Sequence, residues 1–387
     1  MRRGIFASAL AGFAASLALP LMAAVPAVEQ AQLPPGFLLE LYIDEVPNAR
    51  QMAWGDQGTL FVGSRREGKV HAVLDSNNDG HPDRVTVLAS DLTLPSGLAF
   101  QDGTLYVGAV SQILAFPAVE THLRDHPEVQ PEPQSVYDRL PQDRHHGWKY
   151  LAFAPDGRLI VPVGAPCNNC EPDEPYATIL ALDLASGERE ILARGVRNTV
   201  GFDLHPDSGE LYFSDNGRDM MGDDVPPDEI NRLTVPGSHF GYPYWHGGAV
   251  ADPEFALPNE LKGTLIDPIA RLPAHVAPLG VHFYRGKQFP ELWQGALLIA
   301  EHGSWNRSSK VGYRITALTD PTGAQGLDNS GYRVLIDGWL DGDTPLARPA
   351  AILPHPDGSI LISDDYHGRI YRLSYTDDTG STKKREP

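Results

Sequence analysis

One pattern recurs six times along the chain and leaves few folds open to it. Each copy is a short apolar run, a turn dipeptide such as Asp-Gly, and a second alternating apolar run. The copies occupy residues 52–63, 97–108, 151–161, 201–215, a degenerate 280–300, and 351–364. Leu98-Ala99-Phe100-Gln101-Asp102-Gly103-Thr104-Leu105-Tyr106-Val107 shows the form clearly. A turn dipeptide between two alternating runs is the mark of a β-hairpin. A third run follows most copies, as in Lys69–Val73 and Arg369–Leu373. Meanders repeated six times predict an all-β, six-bladed β-propeller with enlarged loops, spanning 33–376. A parallel α/β fold would need long amphipathic helices between strands, and none is evident. A two-sheet sandwich suits so many near-identical hairpins less well. The run Gly36–Tyr42 lies outside the repeats and is expected to complete the last blade, covering an open edge.

Composition agrees with this reading. The 38 Gly and 34 Pro among 387 residues suit a chain rich in tight turns. Fifty acidic residues against 31 basic give a net charge of -19, which argues against binding a nucleic-acid backbone. At the N-terminus, Arg2 and Arg3 precede an uncharged stretch from Ile5 to Leu21 and then small residues. That is the layout of an export signal, expected to span 1–24 and to leave a periplasmic or secreted product without a stable membrane span. Residues 377–387 read as a disordered tail. The two cysteines, Cys167 and Cys170, form no disulfide framework. In an exported chain they are expected to close a short local loop rather than bind zinc.

Function is carried by the irregular loops where inner strands begin or second strands end. Those loops contain Asp143-Arg144-His145-His146-Gly147-Trp148-Lys149, Arg197-Asn198, Ser214-Asp215-Asn216-Gly217-Arg218-Asp219, Glu301-His302-Gly303-Ser304-Trp305-Asn306-Arg307, and Arg348. Together they offer cationic groups, a candidate base and a candidate cation site at one end of the propeller. Several arginines converging in so acidic a chain point to a bound anion. A further Asp-rich stretch, Asp75–Asp83, has alternating oxygen ligands and a sixth-position Gly. It lacks the Glu that would complete a calcium loop, and a hairpin turn is the simpler expectation.

These loops make the chain resemble the soluble sugar dehydrogenases that use pyrroloquinoline quinone (PQQ), the glucose/sorbosone dehydrogenase family. The likeness runs from about Leu33 to Leu373. Residues 301–307 and the Cys167–Cys170 loop look like the sorbosone dehydrogenase branch. Arg197-Asn198 ahead of a Gly-apolar strand, followed by Asp228-Glu229-Ile230-Asn231 and Gly241-Tyr242-Pro243, is the combination specific to the family.

The resemblance implies a six-bladed propeller and a catalytic base at His146 rather than His145. That base would take the proton of a sugar hydroxyl while hydride passes to the quinone. It implies Arg197, Asn198 and Arg348 as PQQ ligands, with Ala350 where a second arginine often stands. Lys149 would hold substrate or a cofactor carboxylate. Arg307, with Lys310 as runner-up, would fill the place of a further cofactor lysine. Calcium would sit at Gly217 and Arg218, held by backbone carbonyls, with Asp219 close by and Asp228 and Glu229 in support. Substrate loops are expected in 116–138 and 247–277. Glu171 follows Cys170, so no haem-attachment motif is present, and a separate electron acceptor, a cytochrome or quinone, is implied. Two other functions remain open to the same fold, a calcium-dependent lactonase and a non-catalytic carbohydrate-binding propeller.

Overall fold

The structure, a computed structural model, describes residues 24–77, 79–322 and 331–377. The export signal and the tail, apart from Ala24 and Asp377, lie outside the described residues. Six sheets form the blades of a propeller; five are four-stranded and antiparallel, and in blade 3 the short strand Ser238–His239 adds a fifth strand parallel to Arg189–Arg194. Their inner strands are Ala49–Trp54, Gly97–Gln101, Ala152–Phe153, Phe202–Leu204, Pro278–Phe283 and Pro349–Pro354. Each is the first half of one of the six repeats, and the second half is the neighbouring strand of the same blade.

The second strands read as continuous apolar runs because both of their faces are covered. Alternate residues point to opposite neighbouring blades. In blade 1, Phe61 packs with Leu98, Leu105 and Phe116 of blade 2. Its neighbours Leu60 and Val62 pack with Leu361 and Ile370 of blade 6. The same split separates Leu298 from Leu297 and Ile299 in blade 5. The core is therefore a ring of apolar clusters, one between each pair of blades.

Closure follows the sequence expectation. Phe37–Ile43 pairs antiparallel with Arg369–Tyr375 and becomes the outer strand of blade 6. The Phe37 ring packs edge-on against Phe289 and Trp293, so the first strand is also anchored to blade 5. Long helices are absent among the described residues; the longer of the two α-helices is Val119–Asp125. Asp75–Asp83 is a hairpin turn, in which the Asp75 carboxylate accepts the Asp79 and Gly80 N–H groups. No helix of the described residues is long and apolar enough to cross a membrane.

In such a blade, the start of the inner strand and the end of the second strand lie at the same end of the wheel. That geometry gathers the loops singled out above.

Candidate active site

A cavity of about 520 Å³ opens at that end of the wheel. It is lined by His146, Arg197, Asn198, Gly217, Asp219 and Arg348 among the residues expected from sequence. Loops some 200 residues apart in the chain thus share one site.

His146 precedes the inner strand of blade 3 in a left-handed conformation, φ 47°. Its imidazole lies 2.9 Å from the Ala165 carbonyl through Nδ1. A carbonyl only accepts, so Nδ1 carries the proton and Nε2 keeps a free lone pair. Burial, then the charge of Arg197, holds this imidazole well below its ordinary value of 6.5. His146 is therefore a neutral base at neutral pH. Gly164 makes room for it, because a Cβ there would come within 2.6 Å of His146 Cβ. His145 is more exposed and packs edge-on against it, with ring centroids 4.1 Å apart.

One wall of the cavity is acidic. Asp215 ends the second strand of blade 4, and its carboxylate accepts the N–H groups of Arg197 and Asn198 at 2.8 and 2.7 Å. Asp228 accepts those of Gly217 and Ala277, both at 2.8 Å. Burial pushes Asp228 up to about 7 and raises Asp215 and Glu229 as well. Against these carboxylates stands Arg197, only 4% exposed. Its guanidinium donates to the Asn168 carbonyl and side chain, the Asn216 carbonyl and Asp219. Asn198 Oδ1 is buried and has no donor. This orphaned acceptor, beside the Gly217 carbonyl and Asp219, is an opening for a hard cation such as calcium, although among the described residues no group of three or more His, Cys, Asp or Glu is arranged to hold a metal.

The opposite wall is cationic. Arg348 donates to the carbonyls of His302 and Gly303 at 3.2 and 2.9 Å. Beside it, His302 Nε2 donates to Asp365 at 2.8 Å, and Arg50 pairs with the same carboxylate at 2.8 Å. Burial opposes charge on Asp365, but His302, Arg50 and Arg65 outweigh it and hold the carboxyl well below its ordinary range. Burial pushes His302 down to about 3 and Arg50 to about 10, so at neutral pH the first is uncharged and the second charged. An excess of guanidinium fits the carboxylates of an anionic cofactor such as PQQ.

Three expected site residues are placed differently. Lys149 is 3% exposed and lies below the cavity. It borders a void of about 10 Å³ with Arg50 and Ala350 of two inner strands and with Ser96 and Val200, which stand just ahead of two others. Burial brings its ammonium down to about 8. Arg307 does not line the cavity; it pairs with Asp224 at 3.0 Å and donates to the Asp223 carbonyl. Lys310 donates to the Asp343 carbonyl. Arg218 was expected to act only through its backbone carbonyl, and its side chain turns away from the cavity, onto Asp252 at 2.6 Å and Glu254 at 2.8 Å. That ion pair fastens the 217–219 loop to the blade 4 insert. Among the expected substrate loops, 247–277 contributes His275 and Ala277 to the cavity, and 116–138 contributes none.

The sequence reading missed Arg50 and Arg65, and it quoted the loops of Asn168 and His302 without giving either residue a role. It quoted Trp305 without a role, and that indole lines the cavity while remaining 66% exposed. The cysteines form the expected disulfide, Cys167–Cys170. Between them Asn168 Oδ1 accepts both Arg197 Nη2 and the Asp219 N–H at 2.8 Å. Each is an isolated residue whose partner is remote in sequence. The one available signal for Arg50 was its register, two residues before Met52, as Ala350 is two before Ile352.

A family model for glucose/sorbosone dehydrogenase matches residues 118–304, and a second, TrAA12-like, matches 259–376. The chain belongs to the glucose/sorbosone dehydrogenase family. It is an oxidoreductase of that family. An uncharacterized protein of Borreliella burgdorferi is 37% identical over 353 residues, covering 89% of this chain and 90% of that one. Among solved structures, an AA12 carbohydrate-active enzyme from Trichoderma reesei shares 19% identity with a TM-score of 0.77. It covers 93% of this chain and 100% of its own. The PQQ domain of pyranose dehydrogenase from Coprinopsis cinerea, in its holo form, shares 18% identity with a TM-score of 0.71, covering 89% and 97%. At such identities these structures establish the common propeller fold.

Proposed function

We propose that this protein is an exported PQQ-dependent dehydrogenase of an aldose or sorbosone-like sugar, with His146 as general base and calcium as Lewis acid. The observation that carries the reading is a neutral, carbonyl-anchored imidazole set in a cavity with one carboxylate wall and one guanidinium wall. PQQ, when bound, supplies a quinone that accepts hydride, and calcium beside it strengthens that acceptor.

The protein's own residues do the rest. Arg197, Asn198 and Arg348 hold the cofactor. The Gly217–Asp219 loop with Asn198 Oδ1 offers oxygen ligands to the cation. His146 Nε2 takes the hydroxyl proton from the sugar carbon that loses hydride, while the Ala165 carbonyl fixes the ring through Nδ1. The resulting imidazolium, disfavoured by burial and by Arg197, readily passes its proton on. Trp305, an exposed aromatic at the cavity, offers the sugar an apolar face. Electrons leave to a separate acceptor. A lactonase built around a central cation would want acidic ligands at the axis, whereas Lys149 and Arg50 stand there.

Titrating purified apo-protein with PQQ and calcium, then assaying dye-linked oxidation of aldoses and sorbosone, tests this reading. Saturable PQQ uptake with calcium-dependent sugar oxidation supports it; lactone hydrolysis without PQQ uptake overturns it.

A further inference from the structure

Blade 1 brings two guanidiniums to the cavity for which the reaction above has no task. Arg50 stands in the inner strand, and Arg65 follows the second strand, Leu60–Ser64. Both lie against the indole of Trp148, at 5.7 and 5.6 Å from its ring centroid. Trp148 Nε1 donates to the Arg65 carbonyl at 3.0 Å, so the indole and the two cations form one packed unit.

Its charge does not balance. Arg50 pairs with Asp365 at 2.8 Å, Arg65 meets the same carboxylate at 3.6 Å, and Arg348 lies alongside on backbone carbonyls. His302 occupies the other Asp365 oxygen. Arg50 Nε and Arg65 Nε are both buried without a hydrogen-bond partner, Arg65 Nε facing Asp365 Oδ2 only at 3.6 Å, beyond hydrogen-bond reach. A buried cationic N–H without a hydrogen bond is costly, and at the edge of an open cavity both guanidiniums, which share one carboxylate, are placed to take an anion from outside the protein. A planar guanidinium suits a carboxylate best, because its parallel N–H groups match the two oxygens.

We infer that Arg50 and Arg65, held by Trp148, form with Arg348 a carboxylate-binding wall for the cofactor. The inference rests on the PQQ reading above. It supplies from blade 1 the cation that Ala350 leaves out of blade 6.

Calorimetric titration of apo-protein with PQQ tests it, comparing wild type with Arg65→Gln, Arg50→Gln and, as a surface control, Arg139→Gln. Thermal unfolding with benzene-1,3,5-tricarboxylate, an anion without quinone chemistry, runs in parallel. Loss of one charge-assisted contact should weaken PQQ binding about ten- to a hundredfold in each wall variant and leave the control unchanged. Arg50→Gln strips Asp365 of its nearest cation and can unfold the protein, so the half-buried Arg65 decides. Wild-type PQQ affinity in Arg65→Gln overturns the inference. If wild type takes no PQQ but gains stability from the tricarboxylate, and Arg65→Gln does not, the wall stands and the PQQ reading falls. If wild type responds to neither anion, both fall.

Discussion

Replacing Gly164 with alanine perturbs His146 without altering its chemistry. The new Cβ would lie 2.6 Å from His146 Cβ and 2.8 Å from its carbonyl oxygen, closer than the 3.0 Å below which real Cβ contacts essentially never go. His146 has little freedom to yield, since its backbone is already left-handed and its ring is anchored on the next residue along, Ala165. Overpacking of this kind costs about 1–3 kcal/mol in stability. Relief by a shift of about 1 Å in the ring is enough to lower turnover roughly a hundredfold, the usual penalty for misplacing a reacting group. His146→Ala should cost about a hundredfold to ten-thousandfold, the range for losing a general base. PQQ affinity should hold in both variants, because neither change removes an arginine. Steady-state dye-linked oxidation gives kcat, and calorimetry on the apo-proteins gives the affinity. Wild-type kcat in Gly164→Ala, or an active His146→Ala beside an inactive His145→Ala, would refute the reasoning.

Burial and Arg197 hold His146 well below 6.5, so its protonation, and the loss of activity it brings, belongs to more acidic pH. The acid limb of kcat/KM should therefore fall below pH 6.5, and a bend at or above that value would count against His146. Removing calcium with a chelator should abolish sugar oxidation, and adding it back should restore it; full activity in protein that elemental analysis finds metal-free would exclude the Lewis-acid role. Arg197→Ala should weaken PQQ binding about ten- to a hundredfold while sparing the sugar KM. Asn168→Ala removes the acceptor shared by Arg197 and the Asp219 N–H and should weaken PQQ binding in the same direction; an unchanged calorimetric titration would assign Asn168 a purely structural part.

The fold was legible because hairpins are local. A turn between two alternating runs is written in about a dozen consecutive residues, and six of them at a similar spacing leave few arrangements. His146, Arg197, Asn198, Gly217, Asp219 and Arg348 were legible for a related reason. They sit where inner strands begin or second strands end, and the repeat places all such loops at one end. Residues governed by remote partners were not. Arg218 was expected to act through its backbone carbonyl, and nothing local in the sequence tied its side chain to Asp252 and Glu254, more than 30 residues on. Lys149 lies ahead of the blade 3 inner strand, and its direction is set by contacts with Ser96 and Gly108 of blade 2, about 40 to 50 residues back. Arg50 and Arg65 needed ring closure, because only then does blade 1 lie beside Asp365 of blade 6.

The repeat also explains how one scaffold builds two walls of opposite charge. Blades 4 and 6 both end their second strand in Ser-Asp, Ser214-Asp215 and Ser363-Asp364. In each blade the aspartate accepts the backbone N–H of the arginine ahead of the inner strand, Arg197 at 2.8 Å and Arg348 at 3.0 Å. Those bonds fix the two arginine backbones alike, so the walls differ through the residues around them. Blade 4 adds Asp228 and Glu229 on its third strand, and its arginine is absorbed by Asn168 and Asp219. Blade 6 meets blade 1, which adds Arg50 and Arg65 against the single carboxylate of Asp365. A chain of net charge -19 can therefore present a guanidinium wall and a carboxylate wall to one cavity. The contrast requires only that like repeats receive unlike neighbours.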